Sequence, residues 1–328
     1  MLRLPMVFNV HDAFVKAMFS RPEHAASLLR QILPPELAAR IDFTTLLLCV
    51  GSYVDEVLKE RYSDLLFSVT IDGRAALLYI LLEHQSTVDD NMGFRLLRYE
   101  VRIWERWQAD HPGVVKLPVI IPVVLHHSET GWTGGTSFEE QLDADDATLA
   151  AMGPHVPRFR FVLEDISHET DEALRARAMT ALARLCLWCL RHAREPDLLV
   201  ERLGAWMDLV REVRRAPDGV AAVVLIMRYI LEVSVPAEPD VLVGRLAAAT
   251  GDEAKEEIVT AADQLREQGR QRGVEQGSRD MLLDQLRERF GALPDTASAR
   301  VAVADLAQLR EWSRRVLKAP TLDEVLGR

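Results

Sequence analysis

Asp64, Glu83 and Gln85 are the residues whose types and spacing could do chemistry. They flank a segment that reads strand, turn, strand: residues 64–71, then Asp72-Gly73, then residues 75–83. Asp-Gly between apolar runs is a strong hairpin signal, because a two-residue type I′ turn needs positive φ at both positions. That turn pairs Ile71 with Arg74 and sets Asp64 opposite Leu81. Glu83 and Gln85 then share the face of Asp64, and His84 falls on the other. Diagonal neighbours across antiparallel strands lie about 7–8 Å apart at Cα. From that spacing two carboxylates can converge on one Mg²⁺, which takes carboxylate oxygens, water and substrate phosphate. A cation so held serves phosphodiester cleavage. A slip of one residue in the pairing would put the two acids on opposite faces. Taken singly, an Asp before a strand and a Glu after one are ordinary turn and surface residues; the shared face sets this pair apart.

The elements that must position these residues follow from apolar period and breakers. Helices are predicted over 11–19 and 23–32, stopped by Leu33-Pro34-Pro35, and a strand over 43–50. The hairpin strands are apolar on both faces, with Leu65, Phe67 and Val69 on one side and Leu66, Leu77 and Tyr79 on the other. They read as central strands covered on both sides. A helix over 90–109 is expected to bury a stripe of Phe94, Leu97, Val101 and Trp104. Residues 119–125 read as a strand that Pro122 marks as an edge or a bulge, and 158–163 as one more. From Asp171 the pattern is helical, over 172–192, 197–214, 220–233 and 251–268. Gly269, Gly273 and Gly277 then recur every fourth residue in polar surroundings, which reads as a linker or a close-packed helix seam. Residues 281–328 form a short module, with helices over 281–290 and 302–317 and a last turn after Pro320. The expected domains are 1–170, a helical extension 171–262, the glycine-spaced segment 263–280, and the module 281–328. The helical half is expected to mediate self-association into a homo-oligomer.

Composition narrows the classes. The 328 residues are 48% apolar and 27% charged, enough for a sizeable core. Residues 1–10 carry one Arg and no long apolar run, and the most apolar stretches are too short for a membrane span, so a cytoplasmic protein is expected. Cys49, Cys186 and Cys189 make no disulfide framework. A net charge of −11 argues against a protein that coats nucleic acid, yet residues 1–115 hold 12 basic against 15 acidic side chains, which leaves a local contact open. There is no Gly-rich phosphate loop and no nucleophile-elbow Ser.

Four strings, in order, carry a family resemblance: His11-Asp12-Ala13-Phe14-Val15-Lys16; Tyr62-Ser63-Asp64-Leu65-Leu66-Phe67-Ser68-Val69; Leu81-Leu82-Glu83-His84-Gln85-Ser86; and Met92-Gly93-Phe94-Arg95-Leu96-Leu97-Arg98-Tyr99. Across residues 9–214 the chain resembles the Rpn/YhgA-like recombination-promoting nucleases, a family labelled "putative transposase". Leu286-Arg287-Glu288-Arg289-Phe290-Gly291 resembles a small helical domain of unknown function appended to such nucleases. The resemblance implies the PD-(D/E)XK superfamily: an α/β fold with a restriction-endonuclease-like αβββαβ core, followed here by the mainly α-helical C-terminal half. It implies a DNA endonuclease that uses Mg²⁺, with Mn²⁺ as the alternative. By position Asp64 and Glu83 are the metal ligands, with the His84 backbone carbonyl as an extra one. Gln85 stands where the superfamily has Lys.

Gln can orient water by hydrogen bonding but supplies no charge. Either the metal carries more of that burden or another cation helps, with Lys16, Arg95 and Arg98 as candidates. Arg95, Arg98, Arg102 and Arg106 form a basic stripe for the DNA backbone; its plainer reading is a solvated face paired with Glu100 or Glu105. Asp12 is a supporting site candidate that can also pair with Lys16. His126-His127 reads as a polar loop and Cys186 and Cys189 as buried helix residues; Asp165 ends the 158–163 strand and could approach the site, where spacing alone does not place it. The alternative function is a weak or inactive nuclease-fold protein acting as a DNA- or protein-binding regulator. A true transposase is disfavoured for want of a third acid.

Overall fold

The computed structural model describes residues 10–49, 64–83, 89–233 and 239–327; the side chains of Asp64, Leu82, Glu83, Pro196, Asp197, Asp252, Glu253 and Ala254 lie outside that description. The chain divides into two compact units between Ile258 and Val259. In the first, helices α1 (Val10–Phe19), α2 (Pro22–Ile32) and α3 (Pro35–Ala38) lead into strands β1 (Ile41–Leu48), β2 (Asp64–Ile71) and β3 (Arg74–Glu83). Helix α4 (Met92–Asp110), strand β4 (Val119–His126), helix α5 (Asp146–Met152) and strand β5 (Val162–Asp165) follow. The five strands order β1-β2-β3-β4-β5; the first three pair antiparallel, and β4 and β5 add in parallel.

The sheet is covered on both faces. One face buries Leu66, Leu77, Tyr79, Leu81 and Val124 under Met92, Leu96, Tyr99 and Ile103 of α4. Residues of the other parity, among them Leu65, Phe67, Leu78, Ile80, Val123 and Leu125, are buried too, with α1 against β2 and α2 against β1 and β5.

This corrects the expected stripe of α4 in part, since Trp104 does pack against the cluster of Leu96 and Tyr99. Phe94 is 52% and Val101 43% exposed. The helix carries two apolar arcs, and Met92, Leu96, Tyr99 and Ile103 satisfy the same 3.6-residue period. Periodicity alone does not choose the arc; the sheet does. Strand β4 is not bulged and is interior in the strand order, with edge character only up to Pro122. It runs unbroken through Pro122 between β3 and β5. Pairing with β5 begins only at Val123, so the donor that Pro122 lacks falls where β4 has a single strand neighbour. The strand expected at 158–163 sits later, at Val162–Asp165.

The helical part of this unit comprises α6 (Asp171–Ala176), α7 (Ala181–His192), α8 (Pro196–Arg202), α9 (Met207–Arg214), α10 (Gly219–Val233) and α11 (Pro239–Thr250). The single helix expected at 172–192 is two, because Thr180 caps α7 by accepting from Ala183 N (3.3 Å). Helix α7 is the hub and buries Cys186, Trp188 and Cys189 completely. Asp171 Oδ2 accepts from the indoles of Trp188 (3.1 Å) and Trp206 (3.3 Å).

Helix α12 (Asp252–Phe290) runs 39 residues without a break through the glycine-spaced segment. A Cβ at Gly269, Gly273 or Gly277 would meet nothing within 4 Å. Helices α13 (Asp295–Val303), α14 (Leu306–Arg315) and α15 (Leu322–Leu326) complete the second unit. Its core is Leu282, Leu286, Val301, Leu309, Trp312 and Val325. The helix expected at 302–317 starts only at Leu306, where Asp305 and Gln308 form a reciprocal capping box, and residues 302–303 end α13 instead. Among the described residues no helix is long and apolar enough to cross a membrane.

Candidate active site

The hairpin has the two-residue turn: Asp72 at φ 48 and Gly73 at φ 74. Arg40 Nε donates to Asp72 Oδ2 at 2.8 Å and anchors the turn. Ile71 pairs with Arg74 and Asp64 with Leu81, in one unbroken register. Asp64 and Glu83 are therefore on one face, at one end of the sheet. His84 and Gln85 lie outside the described residues. Among the described side chains no three acidic, histidine or cysteine groups cluster as a metal site; Asp64 and Glu83 are placed here by backbone register.

The parallel strands add two residues: Asp165, which spacing alone does not place, and His126, which in sequence reads as a polar loop. Glu83 pairs with His126 and His126 with Asp165, so the last residues of β3, β4 and β5 form one lateral row. All three share the face of Asp64, since direct partners in a ladder point the same way. His126 and His127 are not a polar loop: they are 0% and 1% exposed. The available signal was that both 119–125 and 158–163 read as strands before these residues, but sequence did not show that the strands lie side by side and in step.

A hydrogen-bonded turn holds this end. Asp165 Oδ1 accepts from Ser167 N (3.0 Å) and Ser167 Oγ (2.5 Å), and Oδ2 from Trp132 N (2.7 Å). Burial alone would raise the Asp165 carboxyl, but these donors and the His126 imidazole outweigh it and hold it below its ordinary value. Ser128 N donates to Ser167 Oγ (2.9 Å), and Ser128 Oγ lies 2.9 Å from His126 Nε2 and 3.2 Å from Gly131 O. Gly131 sits at φ 76, where a Cβ would come 3.2 Å from Asp165 Oδ2. Only glycine lets the chain turn there and deliver the Trp132 amide to the carboxylate. The Trp132 ring meets His126 edge-on, centroids 5.1 Å apart.

Helix α4 roofs this face. Gln141 clips its first turn: Oε1 accepts from Phe94 N and Nε2 donates to Asp90 O, both at 2.8 Å. The arginine stripe is divided. Arg95 is largely buried and held by Asp89 at 3.0 Å. Arg102 pairs with Glu105 at 3.4 Å and Arg106 with Asp110 at 2.8 Å. Arg98 is exposed. Glu100 is not on the solvated face; it is buried, which lifts its carboxyl to about 7.

Asp12 and Lys16 sit on α1, which contributes nothing to the cluster under α4. Their neighbour His11 places Nδ1 2.7 Å from Tyr229 Oη, and His127 Nε2 lies 3.3 Å from Arg191 O. Burial, reinforced by Arg194, lowers His11 to about 4 and His127 to about 3.

Residues 9–221 match the model of the family described as "Putative transposase, YhgA-like". The Escherichia coli K12 protein named "Inactive recombination-promoting nuclease-like protein RpnE" is 28% identical over 276 residues, 83% of this chain and 87% of that protein. From the same strain, the protein named "Recombination-promoting nuclease RpnC" is 31% identical over 202 residues, 60% of this chain and 64% of its own length. "Recombination-promoting nuclease RpnA" is 28% identical over 265 residues, 80% of this chain and 85% of its own. No solved structure matches the chain.

Proposed function

The chain belongs to the YhgA-like family, and from that membership and the shared face of its acids we propose that it is a Mg²⁺-dependent DNA endonuclease on a PD-(D/E)XK core. The observation that carries the reading is the register in which Asp64 opposes Leu81 with Glu83 two residues on. Among the described elements, with the four-residue α3 set aside, the order α2, β1, β2, β3, α4, β4 supports it, matching the α-β-β-β-α-β order of such a core. The donors suit the cation: two carboxylates from adjacent strands, at the end of a sheet whose interior is apolar on both faces. When bound, the metal supplies Lewis-acid stabilisation of phosphate and a more acidic water.

The chain's own residues do the rest. Asp64 and Glu83, with the His84 carbonyl, hold the ion, and Gln85 orients water without adding charge. Arg98 meets phosphate from the outer side of α4. Arg95, held by Asp89, and Arg102, shared with Glu105, contribute less. DNA is the substrate because relatives bear the name of recombination-promoting nucleases.

The test is nicking of a supercoiled plasmid with Mg²⁺. Wild type is expected to cut and Asp64→Ala to be inert; equal activity in the two refutes the proposal. One observation favours a second reading, a binding protein on the same fold: a relative matched over 83% of this chain is named inactive. Asp64-dependent metal binding without cutting would decide for that reading.

A further inference from the structure

We propose that His126 is a third protein ligand of the cation at Asp64 and Glu83 and biases the site toward Mn²⁺ over Mg²⁺; this rests on reading the site as a metal centre.

The first argument is placement. His126 and Glu83 are direct partners on adjacent parallel strands and share a face. Neighbouring strands lie about 4.8 Å apart, so a carboxylate and an imidazole side by side on one face are within the span of a single ion. The second is the state of the ring. A serine hydroxyl has one hydrogen, and Ser128 Oγ gives it to Gly131 O at 3.2 Å. The 2.9 Å contact between Ser128 Oγ and His126 Nε2 then takes its hydrogen from the imidazole. Both contacts hold at once only if Nε2 carries a proton, and in the neutral ring that leaves on Nδ1 the lone pair that a metal needs.

The third argument is support. Ligating histidines donate their other nitrogen to an outer group that fixes the ring. Here that group is itself fixed: Ser128 N donates to Ser167 Oγ (2.9 Å), which donates to Asp165 Oδ1 (2.5 Å). The anionic Asp165 thus anchors a relay that ends on His126 Nε2. With its ring edge-on to Trp132 and no exposed surface, His126 is held in one orientation. Imidazole is a softer donor than carboxylate, so a site with one nitrogen ligand prefers Mn²⁺ to Mg²⁺.

Pulsed electron paramagnetic resonance of the full chain with substoichiometric Mn²⁺ tests this. Wild type is expected to show the ¹⁴N modulation of a directly bound imidazole. His126→Phe keeps a ring against Trp132 and is expected to lose the modulation while still binding Mn²⁺. The excess of Mg²⁺ needed to displace Mn²⁺ is expected to fall about 10-fold, the scale of a weakened ligand set. Asp64→Ala abolishes the bound signal. Asp64-dependent Mn²⁺ without ¹⁴N modulation, or modulation that persists in His126→Phe, overturns the inference and leaves the metal centre standing. Absence of Asp64-dependent Mn²⁺ refutes the metal centre itself and the inference with it. Should His126→Phe fail to fold, wild type grown with ¹⁵N-histidine answers the same question, since modulation that stays at ¹⁴N overturns the assignment.

Discussion

Replacing Glu100 by Gln should stabilise the fold, and by more as the pH rises. Glu100 is 5% exposed on α4. Burial alone lifts its carboxyl from 4.5 to about 7. Each tenfold change in proton affinity is worth about 1.4 kcal/mol, so keeping the ionised group in the fold costs about 3 kcal/mol. The sign follows from proton counting. Between pH 4.5 and 7 the folded chain binds more protons at this site than the unfolded one, so stability falls through that window and levels off above it. Gln has the shape of the protonated acid and does not titrate. The stability difference between variant and wild type should therefore grow by about 2 kcal/mol between pH 5.5 and pH 8.5. His11 and His127 also titrate with folding, below pH 6.5, but they are common to both proteins and cancel. Urea unfolding followed by circular dichroism at the two pH values measures the difference. A pH-independent difference, or a variant less stable at pH 8.5, refutes the claim that burial sets this carboxyl.

Two further outcomes are expected. Gly131→Ala puts a Cβ at φ 76 and 3.2 Å from Asp165 Oδ2; the strain should cost about 1–3 kcal/mol and change Trp132 fluorescence, and an unaltered melting temperature would contradict the role given to that turn. Leu286→Ala removes a fully buried side chain from the core of the second unit. A loss of about 2–5 kcal/mol is expected there; hydrogen exchange should speed in α13 to α15 and stay slow in β2 and β3, and equal acceleration in both would show that the cores are not separate.

Local rules made the hairpin legible. Asp72-Gly73 fixes the turn, the turn fixes the register, and parity does the rest, so Asp64 opposite Leu81 could be counted from residue numbers. What depends on a distant partner could not be read. The buried arc of α4 was mistaken because two arcs fit the same period and only the sheet selects Leu96 over Val101. Pro122 suggested an edge because its cost depends on where β5 begins. Helix breaks at Thr180 and Asp305 were missed because capping residues inside a helical pattern compete with it only weakly in sequence. The row of Glu83, His126 and Asp165 needs the stagger of two parallel crossovers, which no spacing in the chain encodes. It supplies the site with neighbours that the hairpin alone lacked.

The unbroken run of α12 carries its own easiest place to open. Glycine costs a helix about 1 kcal/mol relative to alanine, and Gly269, Gly273 and Gly277 stand within nine residues where no neighbouring atom offsets the loss. That stretch is held by its own backbone hydrogen bonds and by surface pairs such as Glu267 with Arg270 (2.6 Å), which contribute little. Within α12, a protease that needs an unwound substrate finds one there. Its cut would put the Leu286–Trp312 core on one piece of chain and the hairpin, the acids and the strand row on another, each with its own core.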